Sequence, residues 1–129
     1  MHPPLVVVDD IDVIRTFTAR VLHQRGYGPI VTFDDPKEAW RQLRRGPPPR
    51  LIITDFNMEP FTGIELLERL QRCFGTLAAV IATADPATAL QQGCSWPVLT
   101  KGSPQFFQQL MQIIEQSALR TRRVCTAAS

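Results

Sequence analysis

Lysine is scarce in this chain. Fourteen residues are Lys or Arg, yet only Lys37 and Lys101 are lysines, so a lysine beside a candidate site stands out. Cysteine is also sparse. Cys73, Cys94 and Cys125 are odd in number and far apart, with no CxxC pair, which excludes a disulfide framework and a cysteine metal site and leaves free thiols. His2 and His23 have no companion ligand in the sequence and read as surface or packing residues. Strong charge is missing too: the formal net charge of +2 is too small to imply a nucleic-acid partner. No apolar run is long enough to span a bilayer, and the opening Met1-His2-Pro3-Pro4 carries no signal-like core, so the expected location is the cytoplasm, away from membranes. There are no internal repeats and no low-complexity segment.

What remains is ordinary globular composition. The chain has 129 residues, 44% hydrophobic and 20% charged, which fits one domain with a real core. Short apolar runs alternate with stretches of helical spacing. Leu5-Val6-Val7-Val8 reads as a strand. Asp12 to Gly26, with Val13, Ile14, Phe17, Val21 and Leu22 on one face, reads as a helix capped by Asp12 and stopped by Gly26. Ile30–Phe33 is a second strand, and Asp34-Asp35-Pro36 starts a second helix that ends near Gly46. Leu51–Asp55 is the third strand. Thr62 caps a helix with Ile64, Leu66, Leu67 and Leu70 on its apolar side. Leu77 to Thr83 is the fourth strand, Pro86 to Gln92 a weak short helix, and Pro97–Thr100 the fifth strand. Ser103-Pro104 starts a last helix with Phe106, Phe107, Leu110, Ile113 and Ile114 inward. Strands alternating with helices in this way predict a parallel sheet covered on both faces, because each parallel connection needs a crossover. The domain is expected to span residues 1–119, with a basic tail or linker start at 120–129 carrying Arg120, Arg122 and Arg123.

One aspartate organises this pattern. Asp55 ends an apolar strand and is followed by Phe56-Asn57-Met58-Glu59-Pro60 and Gly63; Asp9 and Asp10 end the first strand in the same way. In open α/β sheets ligands bind at the carboxyl ends of the strands. Carboxylates gathered there repel unless a cation or proton relieves them, and a hard divalent ion with oxygen ligands, Mg2+, is the expected relief. The other strand ends add Thr83 and Lys101. Acids to hold a metal, one acid to act as nucleophile, and a hydroxyl and an amine to meet phosphoryl oxygens form a set suited to phosphoryl transfer onto a carboxylate.

With Val8-Asp9-Asp10, Asp55-Phe56-Asn57-Met58 with Gly63, Thr83-Ala84 and Lys101 in this order, the chain resembles a response-regulator receiver domain of two-component signalling, over nearly its whole length. The resemblance implies a flavodoxin-like α/β/α fold with strand order 2-1-3-4-5. It makes Asp55 the phosphoacceptor, Asp9, Asp10 and Asp55 with the main-chain carbonyl of Asn57 the Mg2+ ligands, and Thr83 and Lys101 the groups that engage the phosphoryl oxygens. Asn57 and Asp85 fall at two variable positions that tune dephosphorylation in that family.

The same comparison marks departures. Glu59 stands where the family usually has Pro, with Pro60 next. Gly102 replaces the Pro after the lysine, so a trans bond and a repositioned loop are expected. Val98 holds the position of the aromatic switch residue, with Trp96 near but out of register. The implied partners are a sensor histidine kinase or phosphotransfer protein upstream and a downstream protein or output domain. The expected oligomeric state is a monomer or a phosphorylation-dependent dimer, without enzymatic turnover. A hydrolase of the aspartyl-phosphate type needs a second acid two residues after the nucleophile, where Asn57 stands. The alternative expectation is a receiver-like binding module that phosphorylation does not switch.

Overall fold

The computed structural model describes the backbone of residues 3–128 and the side chains of residues 3–117. Strands and helices alternate throughout: β1 (Leu5–Val8), α1 (Asp12–Gln24), β2 (Ile30–Phe33), α2 (Pro36–Leu43), β3 (Leu51–Asp55), α3 (Gly63–Phe74), β4 (Ala79–Thr83), α4 (Pro86–Gln91), β5 (Val98–Thr100) and α5 (Phe106–Ala128). The five strands form one parallel sheet in the order β2-β1-β3-β4-β5, the expected doubly wound topology.

Pleating divides the strand residues between two cores. Val6, Val8, Ile52 and Ile81 face Ala39 of α2, Leu66, Leu67 and Leu70 of α3, and Ala89 of α4. Leu5, Val7, Leu51, Ile53, Val80 and Ala82 face Leu22 of α1 and Phe106, Leu110 and Ile114 of α5. The central strands β1, β3 and β4 are buried along their whole length, which is why they read as continuous apolar runs. Register then aligns the strand ends. Val8 lies opposite Thr54, Asp55 opposite Ala82, and Thr83 opposite Thr100, so the residues that end or follow these strands share one edge.

The helix starts at α2 and α3 follow the sequence signals. Asp35 accepts from the N–H of Lys37, with Pro36 in the first turn of α2. Thr62 and Glu65 make a reciprocal capping box at α3. At α1 the expected Asp12 cap is wrong. Ile11 occupies the cap position without a side-chain cap bond, and Asp9 Oδ1 instead accepts from the Ile11 N–H at 2.9 Å.

The expected buried face of α1 also needs correction. Val13 is 78% exposed and Phe17 57% exposed, while Leu22 and Thr18 are the buried residues of this helix. Between α1 and α5 lies a recess of about 350 Å³, with Val13 and Phe17 on its α1 side and Val7, Ile53 and Ala82 on its sheet side. Phe17 meets Phe107 edge to face across it, with ring centroids 5.8 Å apart.

Smaller boundaries move as well. β4 starts at Ala79 rather than Leu77, whose carbonyl accepts from the Trp96 indole N–H at 3.1 Å. α5 starts at Phe106, because Ser103 first closes a turn through its carbonyl and hydroxyl. Its helical backbone continues through 120–128, the stretch set apart as a tail in the sequence. The short α4 is as expected.

Candidate functional site

Four strand ends bring the predicted residues together. Asp9 and Asp10 follow β1, Asp55 closes β3, Thr83 closes β4, and Lys101 follows β5. Carboxylate oxygens of Asp9, Asp10 and Asp55 all lie within 4.8 Å of one another. Lys101 reaches back from β5. Its Nζ donates to Asp9 Oδ2 at 2.6 Å and lies 3.3 Å from Asp55 Oδ1. Asp55 Oδ1 also accepts the Phe56 main-chain N–H at 2.8 Å, which fixes the orientation of the carboxylate.

The electrostatics are unrelieved. Asp9 and Asp55 are buried, and Asp10 faces solvent. Burial pushes the Asp55 carboxyl above its ordinary range. The Lys101 ammonium opposes that rise, and the nearby Asp9 charge adds to it. Three carboxylates against one ammonium leave two negative charges at the edge of a low-dielectric core. An all-oxygen donor set with that excess suits a hard divalent cation such as Mg2+. The charge balance and the carboxylate spacing both fit such an ion.

The loop after Asp55 is held from below. Phe56, Met58 and Phe61 are buried in the α2–α3 core, so Asn57 and Glu59 between them are left at the exposed rim. Glu59 stands outside the three-carboxylate cluster found among the described residues. Gly63 then passes against the acidic strand end. A Cβ there would sit 2.0 Å from the Asp55 carbonyl oxygen, and the Gly63 N–H donates to the Phe56 carbonyl at 2.9 Å. Only a residue without a side chain permits this approach.

Thr83 is buried at the end of β4, and its Oγ1 accepts the Asp85 N–H at 3.1 Å. Asp85 in turn caps α4, accepting from the Thr88 N–H and hydroxyl, and these bonds hold its exposed carboxyl below the usual range. Val98 packs against the α2–α3 core, and Trp96 beside it is fixed to Leu77. Lys101–Gly102 is trans, as expected, and Gly102 takes φ +79°, a left-handed conformation that glycine adopts freely. Sequence reading passed over Arg15. Its guanidinium donates to the Asp9 carbonyl at 2.9 Å and pairs with Asp12. The Asp12–Arg15 spacing was visible; the tertiary carbonyl contact was not.

The family model described as "Response regulator receiver domain" matches residues 5–96. Chemotaxis protein CheY1 of Helicobacter pylori is 25% identical over 117 residues, covering 85% of this chain and 94% of that protein. The fold is similar to a response regulator receiver domain protein from Clostridium thermocellum, with TM-score 0.78, 20% identity, and 95% and 98% of the two chains covered. It is also similar to response regulator protein TrrA from Thermotoga maritima, solved in complex with Mg(2+)-BeF, with TM-score 0.76, 23% identity, and 91% and 99% covered.

Proposed function

The chain belongs to the response-regulator receiver domain family of two-component signalling, and on that premise we propose that Asp55 accepts a phosphoryl group from the phosphohistidine of a sensor kinase or phosphotransfer protein, or from a small acyl phosphate. The observation that carries this reading is the cluster itself: three carboxylates within 4.8 Å with the Lys101 ammonium between Asp9 and Asp55.

In the proposed step an Asp55 carboxylate oxygen attacks phosphorus in line with the leaving group. The new P–O bond forms as the P–N bond breaks, and the electron pair departs with the imidazole. Asp9, Asp10, Asp55 and the Asn57 carbonyl would hold Mg2+, which would neutralise charge on the phosphoryl oxygens. The Phe56 N–H keeps the Asp55 carboxylate oriented for attack. Lys101 is already within reach of Asp55 and exchanges part of its contact with Asp9 for the incoming phosphoryl oxygens. The Thr83 hydroxyl, which accepts the Asp85 N–H, donates its own proton to the same group. Asn57 and Asp85 frame the site and tune hydrolysis of the product; Glu59 modulates it from the rim and Val98 from β5.

The function is signalling rather than turnover of a substrate. Residues 1–119 serve as the receiver, with 120–129 as a basic tail or linker start whose backbone continues α5 through 128. Output passes by protein–protein contact to a downstream protein or output domain, as a monomer or a phosphorylation-dependent dimer, in the cytoplasm. Among the described residues no helix is long and apolar enough to cross a membrane. Val98, in place of an aromatic, favours a second reading, a receiver-like module that binds partners without being switched.

Intact-mass spectrometry after incubation with Mg2+ and acetyl phosphate, and then with a phosphorylated kinase, tests the proposal. One added phosphoryl group, lost on chelation, is the expected result. No adduct with either donor would move the reading to the unswitched module.

A further inference from the structure

The β1–α1 loop carries both Asp9 and Asp10, yet the helix that follows it has no side-chain cap. Two contacts hold the loop in their place. Asp9 Oδ1 accepts the Ile11 N–H at 2.9 Å, which uses part of a site acid to close the turn. Arg15 supplies the other contact, one helical turn further on. Its Nη1 donates to the Asp9 main-chain carbonyl at 2.9 Å, and its Nη2 pairs with the Asp12 carboxylate. The arginine side chain is only 16% exposed, whereas that of Asp12 is 80% exposed. The guanidinium therefore lies along the protein and spans the loop from Asp9 to Asp12. A planar fork with donors in fixed directions can hold both acceptors at once; an ammonium offers no such fixed pair.

We infer that Arg15 is a positioning residue for the divalent-cation site: it locks the β1–α1 loop so that the Asp9 and Asp10 carboxylates stay within reach of Asp55. This rests on the reading of the three carboxylates as a Mg2+ site. The sign of the charge makes the inference sharp. Arg15 is a cation close to a cation site, so by Coulomb interaction alone its removal strengthens Mg2+ binding. Positioning acts the other way. Groups that orient metal ligands are worth roughly 10- to 100-fold in metal affinity.

The test is Mg2+ titration by isothermal calorimetry of the wild type, Arg15→Gln and Arg15→Lys, with Tyr27→Phe as a control. Tyr27 donates to Glu115 at 2.6 Å, at the opposite end of the sheet. Arg15→Gln is expected to bind Mg2+ on the order of tenfold more weakly. Arg15→Lys, which keeps the charge but not the planar fork, is expected to fall between Gln and wild type, and Tyr27→Phe to match wild type. If the Gln variant does not fold, Arg15→Lys is judged against wild type by the same criterion. Affinity in the Arg15 variant equal to or tighter than wild type overturns the role given to Arg15. Equal weakening in Tyr27→Phe also overturns it, as a general loss of stability. A wild type that binds no Mg2+ removes the site reading itself, and the inference with it.

Discussion

Asp55 sits in a place that does not suit its charge. Its folded-state carboxyl is raised above the ordinary value of 3.8, chiefly by burial. The sign of the linkage follows: a carboxyl raised in the folded state favours the fold while protonated, and that contribution is lost as pH rises through the folded value. Asp55→Asn is therefore expected to melt at a higher temperature than the wild type near neutral pH without metal. The gap should close as pH falls toward the ordinary carboxylate range, and thermal melts across that window check it. A gap that widens on acidification would contradict the assignment. Gly63 is the complementary case. Gly63→Ala places a Cβ 2.0 Å from the Asp55 carbonyl oxygen, so it should cost about 1–3 kcal/mol by urea unfolding and slow phosphoryl uptake by displacing Asp55. Asp55 was legible in the sequence because it ends an apolar run. The reason for Gly63 was not, since its contact is made across a loop.

Elements differ in how completely sequence describes them. The start and buried face of α3 were legible, because Thr62 and the Ile64–Leu67–Leu70 stripe agree on them, while the reciprocal Glu65 bond and the helix end came from the structure. Thr62→Ala should cost about 1 kcal/mol of stability while leaving Mg2+ binding unchanged. α1 was legible only in extent. Its apolar spacing predicts a helix, but periodicity cannot say that Val13 and Phe17 stand beside a recess rather than inside a filled core. α4 links site and surface. Its capping residue Asp85 donates its N–H to the Thr83 hydroxyl. Phosphorylation that draws Thr83 toward Asp55 pulls on this bond, so amide shifts over residues 85–89 should change on phosphorylation. In Thr83→Ala the adduct should still form while those shifts no longer follow it. Shifts that persist in the variant would place the coupling elsewhere.

At the scale of the whole molecule, one parallel sheet does two jobs. Its faces bury two separate cores, and its carboxyl edge collects groups that are distant in sequence, such as Asp9 and Lys101. The topology was legible because strand–helix alternation admits few solutions. Asp9, Asp10, Asp55, Thr83 and Lys101 were legible because each ends or directly follows a strand; Arg15 was not, because its contact is tertiary. The excess negative charge at that edge couples metal binding to folding: Mg2+ at a hundredfold excess over its Kd should stabilise the wild type by about 2.7 kcal/mol, and Asp10→Asn much less, in calorimetric melts. The most direct measurement of the central claim locates the phosphoryl group on the chain. After incubation with Mg2+ and a phosphodonor, borohydride reduction converts an aspartyl phosphate to homoserine, which peptide mass spectrometry places at one position. Homoserine at position 55, absent when Mg2+ is chelated, is the predicted result. Homoserine at another acid, or none with either acetyl phosphate or a phosphorylated kinase, would contradict it.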